Sequence, residues 1–257
     1  MDLKVSIVQT TMEWENIREN ILHFDQRINK IAESDVIVLP EMFTTGFSMQ
    51  TDLLAEEMNG SAVQWMLNKA KEKNAAITGS VMIKENDRFF NRLIWAQPDG
   101  KIFHYDKRHL FRMGNEHQHY SAGNGRIVIE WRGWKICPLI CYDLRFPVWA
   151  RNTDPFYDVL LYVANWPDVR RHPWKTLITA RAIENQCYVV AVNRIGKDGR
   201  DIEHAGDSCV CDPKGHWISE TQPYKESIET IVLSKMELED FREKFPVLLD
   251  GDQFHID

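Results

Sequence analysis

The sequence Ile136-Cys-Pro-Leu-Ile-Cys-Tyr-Asp-Leu-Arg-Phe-Pro147 changes abruptly from apolar to polar at one cysteine. Residues 136–140 form an apolar run typical of a buried strand, whereas an acid and a base follow within four residues of Cys141. Cys141 is therefore predicted to lie at an elbow where the strand ends. A cysteine is often only a small buried hydrophobe. Its position at the end of a strand, where sites of α/β proteins form, makes Cys141 a candidate nucleophile.

Two further chemically active residues occupy the same kind of position. Glu41 follows the apolar run Val36-Ile-Val-Leu-Pro40, and Lys107 follows a strand-like run over residues 102–106. A glutamate after a strand is usually a solvated turn residue, and a lysine beside Arg108 is usually a surface charge. Glu41 is nevertheless surrounded by apolar residues, where a charge needs a partner. We therefore predict that Glu41, Lys107 and Cys141 converge at one rim of a sheet.

The first half of the chain alternates strands and helices. Apolar residues at positions 17, 21, 24, 28 and 31 have the spacing of an amphipathic helix, with Asn16 as its N-cap. A second helix is predicted to begin near Ser61. Strands are predicted over residues 3–9, 35–40, 75–83, 89–97 and 101–105.

The second half continues in the same style and adds hairpins. Predicted strands cover residues 126–131, 134–140, 157–164, 187–193, 207–211, 216–219 and 227–233, and predicted helices cover 147–152, 173–185 and 236–244. No GxGxxG opens a helix after a strand, which disfavours a dinucleotide-binding fold. The pattern favours a single α/β domain over residues 1–257, with mixed sheets and outer helices.

Composition narrows the class of protein. The formal net charge of the 257 residues is −7, and a protein that binds nucleic acid usually has a basic excess. The N-terminus does not resemble a signal peptide, and no run approaches the roughly 18 apolar residues of a membrane helix. Five cysteines are an odd number and are expected to be free thiols. We therefore expect no nucleic-acid or membrane partner and a cytoplasmic location.

Metal binding has little support in the sequence. His117-Gln-His119 and Cys209-Val-Cys211 have ligand-like spacing, but neither has a second well-spaced pair. Cys209 and Cys211 are predicted to point to one face of a strand and to belong to the core. No metal and no cofactor are expected.

The three candidate residues lie in motifs that resemble the nitrilase superfamily of carbon–nitrogen hydrolases. These motifs are Leu39-Pro-Glu-Met-Phe43, Asp106-Lys-Arg-His-Leu-Phe111 and Cys141-Tyr-Asp-Leu-Arg-Phe-Pro147. The resemblance continues through Ala164-Asn-Trp-Pro167, Trp174 and Ala180-Arg-Ala-Ile-Glu-Asn185. It implies a four-layer α-β-β-α sandwich. It also implies a homodimer, whose contact we expect at residues 156–185 and at the C-terminal tail from about residue 246.

Three segments are similar to the omega-amidase branch, particularly its bacterial members: Phe43-Thr-Thr-Gly-Phe47, residues 105–113 and residues 162–167. That resemblance implies hydrolysis of the terminal amide of 2-oxoglutaramate or 2-oxosuccinamate, with release of ammonia. Other reactions of the superfamily share the triad, including those of nitrilases, N-carbamoyl amino acid hydrolases and deaminated-glutathione amidases. A catalytically inert relative that binds a partner, and acyl transfer to another amine, are the remaining alternatives.

The resemblance also implies a role for each candidate. Glu41 is the general base and Cys141 the nucleophile, while Lys107 and the backbone N–H of Tyr142 hold the oxyanion. Glu116 is a candidate for positioning substrate and Lys107, with a solvated loop acid as the alternative. Arg145 either binds a substrate carboxylate or pairs with Asp143 or another acid to brace the elbow. Weaker candidates for lining the pocket are Phe47, Trp166, Phe43 and Arg112.

Overall fold

The computed structural model describes residues 1–252 and 254, and these form two large β-sheets and one two-stranded ribbon, with helices outside. The strands are β1 (Leu3–Gln9), β2 (Val36–Val38), β3 (Ala76–Glu85), β4 (Arg88–Ala96), β5 (Ile102–Asp106), β6 (Ile129–Trp131), β7 (Trp134–Ile140), β8 (Val159–Ala164), β9 (Tyr188–Asn193), β10 (Ile195–Lys197), β11 (Glu203–Ala205), β12 (Cys209–Cys211) and β13 (Ser227–Leu233). The helices are α1 (Ile17–Asn29), α2 (Thr51–Leu54), α3 (Ser61–Lys73), α4 (Glu116–His119), α5 (Pro147–Ala150), α6 (Arg171–Asn185) and α7 (Lys235–Lys244). Short 3₁₀ turns cover Arg112–Gly114, Cys141–Arg145, Asp168–Arg170 and Val247–Asp250.

Both sheets are mixed and are built on the same plan. The first has the order β13-β1-β2-β3-β4-β5, with β1, β2 and β3 parallel and the outer pairs antiparallel. The second has the order β12-β9-β8-β7-β6, with β7, β8 and β9 parallel. Because β4 runs antiparallel to both β3 and β5, the carboxyl ends of β2 and β5 lie at the same edge of the first sheet.

The core shows that four layers are stacked. One apolar cluster joins side chains of both sheets, including Val5 and Trp95 from the first and Leu139 and Tyr162 from the second. A second cluster packs α1 and α3 on the other face of the first sheet, through residues such as Phe24 and Met66. Helix α6 covers the second sheet through Trp174, Ile178 and Ala182. The predicted α-β-β-α sandwich is confirmed.

Local signals set several element ends. The Asn16 side chain accepts a hydrogen bond from the N–H of Glu19 and caps α1, as predicted. The strand predicted at residues 216–219 is wrong: Trp217 forms only an isolated bridge to Cys211, so this segment adds no strand to the sheet. The ribbon of β10 and β11 was not predicted, because its sequence is polar and lacks an apolar alternation.

No helix in the described part of the chain is long and apolar enough to cross a membrane. All five cysteines are free and buried. Residues 253 and 255–257, the end of the tail for which an interface was predicted, lie outside the described residues.

Candidate active site

Glu41 lies in the turn that follows β2. The next residue, Met42, has φ +43°, a backbone conformation that few non-glycine residues adopt. The buried Glu41 carboxylate accepts hydrogen bonds from Lys107 Nζ at 2.8 Å and from Asn91 Nδ2 at 2.7 Å, both on Oε1. Its Oε2 accepts one from the backbone N–H of Asn165 at 2.8 Å. The charge is therefore fully partnered, as a buried carboxylate requires.

Lys107 is held between two carboxylates. Its Nζ lies 2.8 Å from Glu41 Oε1, and 3.0 and 2.9 Å from the two carboxylate oxygens of Glu116. The ring of Phe47 lies 5.2 Å from the same nitrogen. Burial alone would lower the pKa of Lys107, but the charges of Glu116 and Glu41 outweigh burial and raise that pKa. The side chain is therefore a permanent cation.

Glu116 is buried at the start of α4 and is not a solvated loop acid. Besides Lys107, its carboxylate accepts from the backbone N–H of Phe111 at 2.6 Å and from Asn91 Nδ2 at 3.1 Å. Burial raises the pKa of Glu116, and the charge of Lys107 offsets part of that rise. Asn91 thus bridges the Glu41 and Glu116 carboxylates through one amide nitrogen.

Cys141 occupies the elbow after β7. Its φ of +43° lies in the left-handed region, which is strained for a residue with a side chain. Burial raises the pKa of the Cys141 thiol, the charge of Glu41 raises it further, and Lys107 opposes this. The resting nucleophile is therefore a neutral thiol with a base already beside it.

The buried carboxylate of Asp143 braces this elbow. It accepts hydrogen bonds from the backbone N–H of Ile140 at 3.0 Å, the hydroxyl of Tyr105 at 2.8 Å and the backbone N–H of His109 at 3.0 Å. The ring Nδ1 of His109 lies 2.8 Å from Asp143 Oδ1. Because Tyr105 and His109 flank Lys107, Asp143 ties the Lys107 segment to the nucleophile.

A cavity of about 570 Å³ opens onto these residues. It is lined by Glu41, Lys107, Cys141 and Tyr142 together with the predicted pocket residues Phe47, Arg145 and Trp166. Arg145 does not pair with Asp143, as one interpretation held, because other donors occupy that carboxylate; its guanidinium lies 5.1 Å from the Trp166 ring centre.

Two of the weaker pocket candidates are wrong. Phe43 is buried in the core against Phe24 and Trp65, because its side chain points toward the helices that cover the first sheet. Arg112 is exposed in its 3₁₀ turn and does not line the cavity.

The ribbon of β10 and β11 forms one wall of the cavity through residues 198 and 200–204. The Arg200 guanidinium donates to the backbone carbonyl of Phe47 at 3.1 Å. Burial and the charge of Arg194 lower the pKa of His204 to about 4, so this imidazole is neutral near pH 7.

Five residues of the site were not among the predicted ones: Asn91, Asn165, Arg170, Arg200 and His204. A signal existed for Asn91, since a polar residue inside the apolar strand β4 requires a buried partner. For Arg170 and Arg200 no local signal existed, because both lie in polar loops typical of a protein surface.

In the described part of the chain, no group of three or more His, Cys, Asp or Glu side chains could hold a metal ion. Cys209 and Cys211 are both buried in the core on β12.

Comparison with known proteins places this geometry in a family. A model of the carbon–nitrogen hydrolase family matches residues 4–243. The chain is 47% identical to omega-amidase YafV of Escherichia coli, covering 99% of this chain and 98% of that protein. It is 38% identical to 2-oxoglutaramate amidase of Bacillus subtilis, covering 97% and 98% of the two chains.

A solved structure agrees over the whole length. The CN-hydrolase superfamily protein XC1258 from Xanthomonas campestris, which carries an arsenic adduct in its active site, superposes with a TM-score of 0.97. The two chains are 45% identical, and the match covers 100% of each. As the motifs around Glu41, Lys107 and Cys141 predict, the chain belongs to the carbon–nitrogen hydrolase family of the nitrilase superfamily.

Proposed function

We propose that this protein is an omega-amidase that hydrolyses the terminal amide of 2-oxoglutaramate or 2-oxosuccinamate to the 2-oxo dicarboxylic acid and ammonia. The observation that carries the proposal is the convergence of the Cys141 thiol, the Glu41 carboxylate and the Lys107 ammonium on one cavity, with Lys107 Nζ 2.8 Å from Glu41 Oε1. The names of the relatives from Escherichia coli and Bacillus subtilis support this choice of substrate.

In the proposed mechanism, Glu41 acts as base in acylation. It removes the Cys141 proton while the sulfur bonds to the amide carbonyl carbon. The oxyanion that forms is held by the Lys107 ammonium and by the backbone N–H of Tyr142, which lies in the first turn of a 3₁₀ segment where N–H groups lack intrahelical partners. Glu41 then returns the proton to the nitrogen, the C–N bond breaks and ammonia leaves. A thioester remains on Cys141.

The second half of the proposed reaction reuses the same base. Glu41 takes a proton from a water molecule, whose oxygen attacks the thioester carbon. The C–S bond breaks, the sulfur recovers the proton and the acid leaves. Glu116 keeps Lys107 charged and positioned throughout, because it contributes two of the three short contacts of that ammonium.

The proposed substrate-binding residues surround this centre. Phe47 and Trp166 supply apolar walls, and Arg145 supplies a positive charge that suits a carboxylate. This arrangement fits a small amide with an acidic end rather than an extended polymer, since the cavity holds only about 570 Å³.

The test is ammonia release by the purified protein from 2-oxoglutaramate, with Cys141→Ala as the control. We expect release by the native chain and none above background from the variant. Nitriles, N-carbamoyl amino acids and deaminated glutathione, assayed in parallel, separate the other reactions of the superfamily. A folded native protein that releases no ammonia from 2-oxoglutaramate would contradict the proposal.

We also propose a cytoplasmic homodimer formed from one domain per chain, with the tail from residue 246 at the contact. The five free thiols suit a reducing compartment. A second cavity, of about 640 Å³, lies between the α5 region and the tail and is lined by Val148, Trp149, Phe156, Leu248 and Leu249. Val148 and Leu249 are 55% and 74% exposed, so this face presents apolar surface suited to a second copy.

A further inference from the structure

Two arginines face the active-site cavity without an acidic partner. Arg145 and Arg170 both line it, and in residues 1–252 and 254 no carboxylate oxygen lies within salt-bridge distance of either guanidinium. The neighbouring arginines differ: Arg171 is paired with Asp207, and Arg200 lies 3.8 Å from Asp198. A pair of partly buried cations without counter-charge is costly unless an anion joins them.

Aromatic rings hold both guanidinium groups in place. Arg145 lies 5.1 Å from the ring centre of Trp166, and Arg170 lies 5.2 Å from that of Phe111. The indole N–H of Trp166 in turn donates to the backbone carbonyl of Arg170 at 2.7 Å. Stacking of this kind fixes a guanidinium by its face and leaves its N–H edges available to a ligand.

The two cations are close enough to affect each other and the nucleophile. Burial lowers the pKa of Arg170; the Cys141 sulfur, as an anion, would raise it, and the charge of Arg145 lowers it further. Arg145 follows Cys141 by four residues in the same 3₁₀ turn, and Arg170 ends the 3₁₀ turn after β8. An anion bound by both groups therefore lies within the same cavity as the sulfur.

We propose that Arg170 and Arg145 together form a two-guanidinium site for the carboxylate of the substrate, and that Arg170 is the specificity-determining residue of the pair. The proposal rests on the proposed function and assigns the residues that recognise the carboxylate of its substrate. Neutral amides of the same length therefore bind poorly. The two planar N–H forks suit the two oxygens of a carboxylate.

The first test uses a reaction that requires no amide hydrolysis. Cys141 is alkylated at fixed pH with iodoacetate, which is an anion, and separately with iodoacetamide, which is neutral and of similar size. In both cases a bond forms between the sulfur and carbon, iodide leaves and the thiol proton is lost. The rates are followed by peptide mass spectrometry.

In the native protein we expect iodoacetate to be favoured over iodoacetamide relative to a free thiol. Arg170→Gln lowers the ratio of the iodoacetate rate to the iodoacetamide rate by about 10- to 100-fold, the loss typical of one hydrogen bond to a charged group, because a change in the thiol itself affects both reagents alike and cancels in the ratio. Arg170→Lys retains most of the preference, because the charge remains. Arg112→Gln removes an exposed charge outside the cavity and leaves the ratio unchanged.

An unchanged ratio in Arg170→Gln overturns the proposal. An equal slowing of both reagents also overturns it, since the residue then affects the thiol and not the anion. The second test is the KM for 2-oxoglutaramate, which we expect Arg170→Gln to raise by about 10- to 100-fold with kcat nearly retained. If 2-oxoglutaramate is not a substrate, the function fails while the alkylation ratio still decides the anion site.

Discussion

At the scale of the residue, Cys141 combines a strained backbone with a thiol that resists ionisation. Its φ is +43°, and burial and the charge of Glu41 both raise its pKa. A preformed thiolate would repel the Glu41 carboxylate in the same cluster. The proposed reaction avoids that state, since the proton moves to Glu41 only as the sulfur attacks.

Replacing Glu41 tests whether its carboxylate both accepts the Cys141 proton and raises the pKa of the Cys141 thiol. Glu41→Gln preserves the size of the side chain but removes the proton acceptor, so kcat should fall by about 10²–10⁴-fold. The same change removes a negative charge that raises the pKa of Cys141. The pH midpoint for alkylation of Cys141 by iodoacetamide should therefore move to lower pH.

Glu130→Gln is the control, because Glu130 is an exposed acid on β6. It should alter neither kcat nor the alkylation midpoint. A midpoint that rises in Glu41→Gln would show that Glu41 does not carry a negative charge beside the thiol.

The sequence predicts the triad because each of its members follows an apolar strand, a pattern that is local in the chain. It does not predict the asparagines that donate hydrogen bonds to the glutamates of the site. Asn91 meets Glu41 and Glu116 across 50 and 25 positions of sequence, and Asn165 meets Glu41 across 124. The Asn91 contacts depend on the strand order of the first sheet, and the Asn165 contact depends on how the two sheets are placed against each other; no local pattern encodes either.

At the scale of the element, the brace at Asp143 joins the elbow after β7 to the segment after β5. The carboxylate accepts from Ile140, Tyr105 and His109, so a side chain with only one acceptor oxygen cannot satisfy all of them. Asp143→Asn should lower the free energy of unfolding by about 1–3 kcal/mol. It should also lower kcat, because Cys141 and Lys107 lose their fixed separation. Chemical denaturation and steady-state kinetics measure the two effects.

Asp87→Asn provides a matched control in the exposed turn between β3 and β4, where the same change should alter neither quantity. A fully active and fully stable Asp143→Asn protein would contradict the role of this brace.

Elements with strong apolar periodicity are predicted well, and polar ones are not. Helix α1 and its Asn16 cap follow directly from the sequence, as do β1 and β13. The apolar pattern of the sequence does not indicate the ribbon of β10 and β11. Arg194 and Arg200, not apolar side chains, hold this ribbon in place by donating hydrogen bonds to backbone carbonyls. The apolar residues of 216–219 indicate a strand, but only one bridge forms.

At the scale of the whole molecule, the repeated strand plan of the two sheets accounts for the place of the site. Each sheet contributes the carboxyl end of a parallel strand, β2 with Glu41 and β7 with Cys141. Packing the sheets face to face brings those ends together with Lys107, although 34 to 100 positions of sequence separate the three residues.

The proposed dimer predicts a mass in solution of twice the 30.1 kDa of one chain. Leu249→Asp places a charge in the apolar face of the tail and should shift the protein toward the monomer, because burying an unpaired carboxylate is unfavourable. Light scattering measures both masses. Leu53→Asp, at an exposed position of helix α2, is the control and should remain dimeric. A native protein that is monomeric at micromolar concentration would contradict this prediction.

The central claim is that Cys141 forms a thioester with the acyl group of 2-oxoglutaramate. The most direct measurement is peptide mass spectrometry after the native protein and 2-oxoglutaramate are mixed and quenched in acid within the first turnover. We expect an added 2-oxoglutaryl group on the peptide that contains Cys141, and neither adduct nor ammonia release from Cys141→Ala. An acyl group on a different residue, or ammonia release by Cys141→Ala at the native rate, would contradict it.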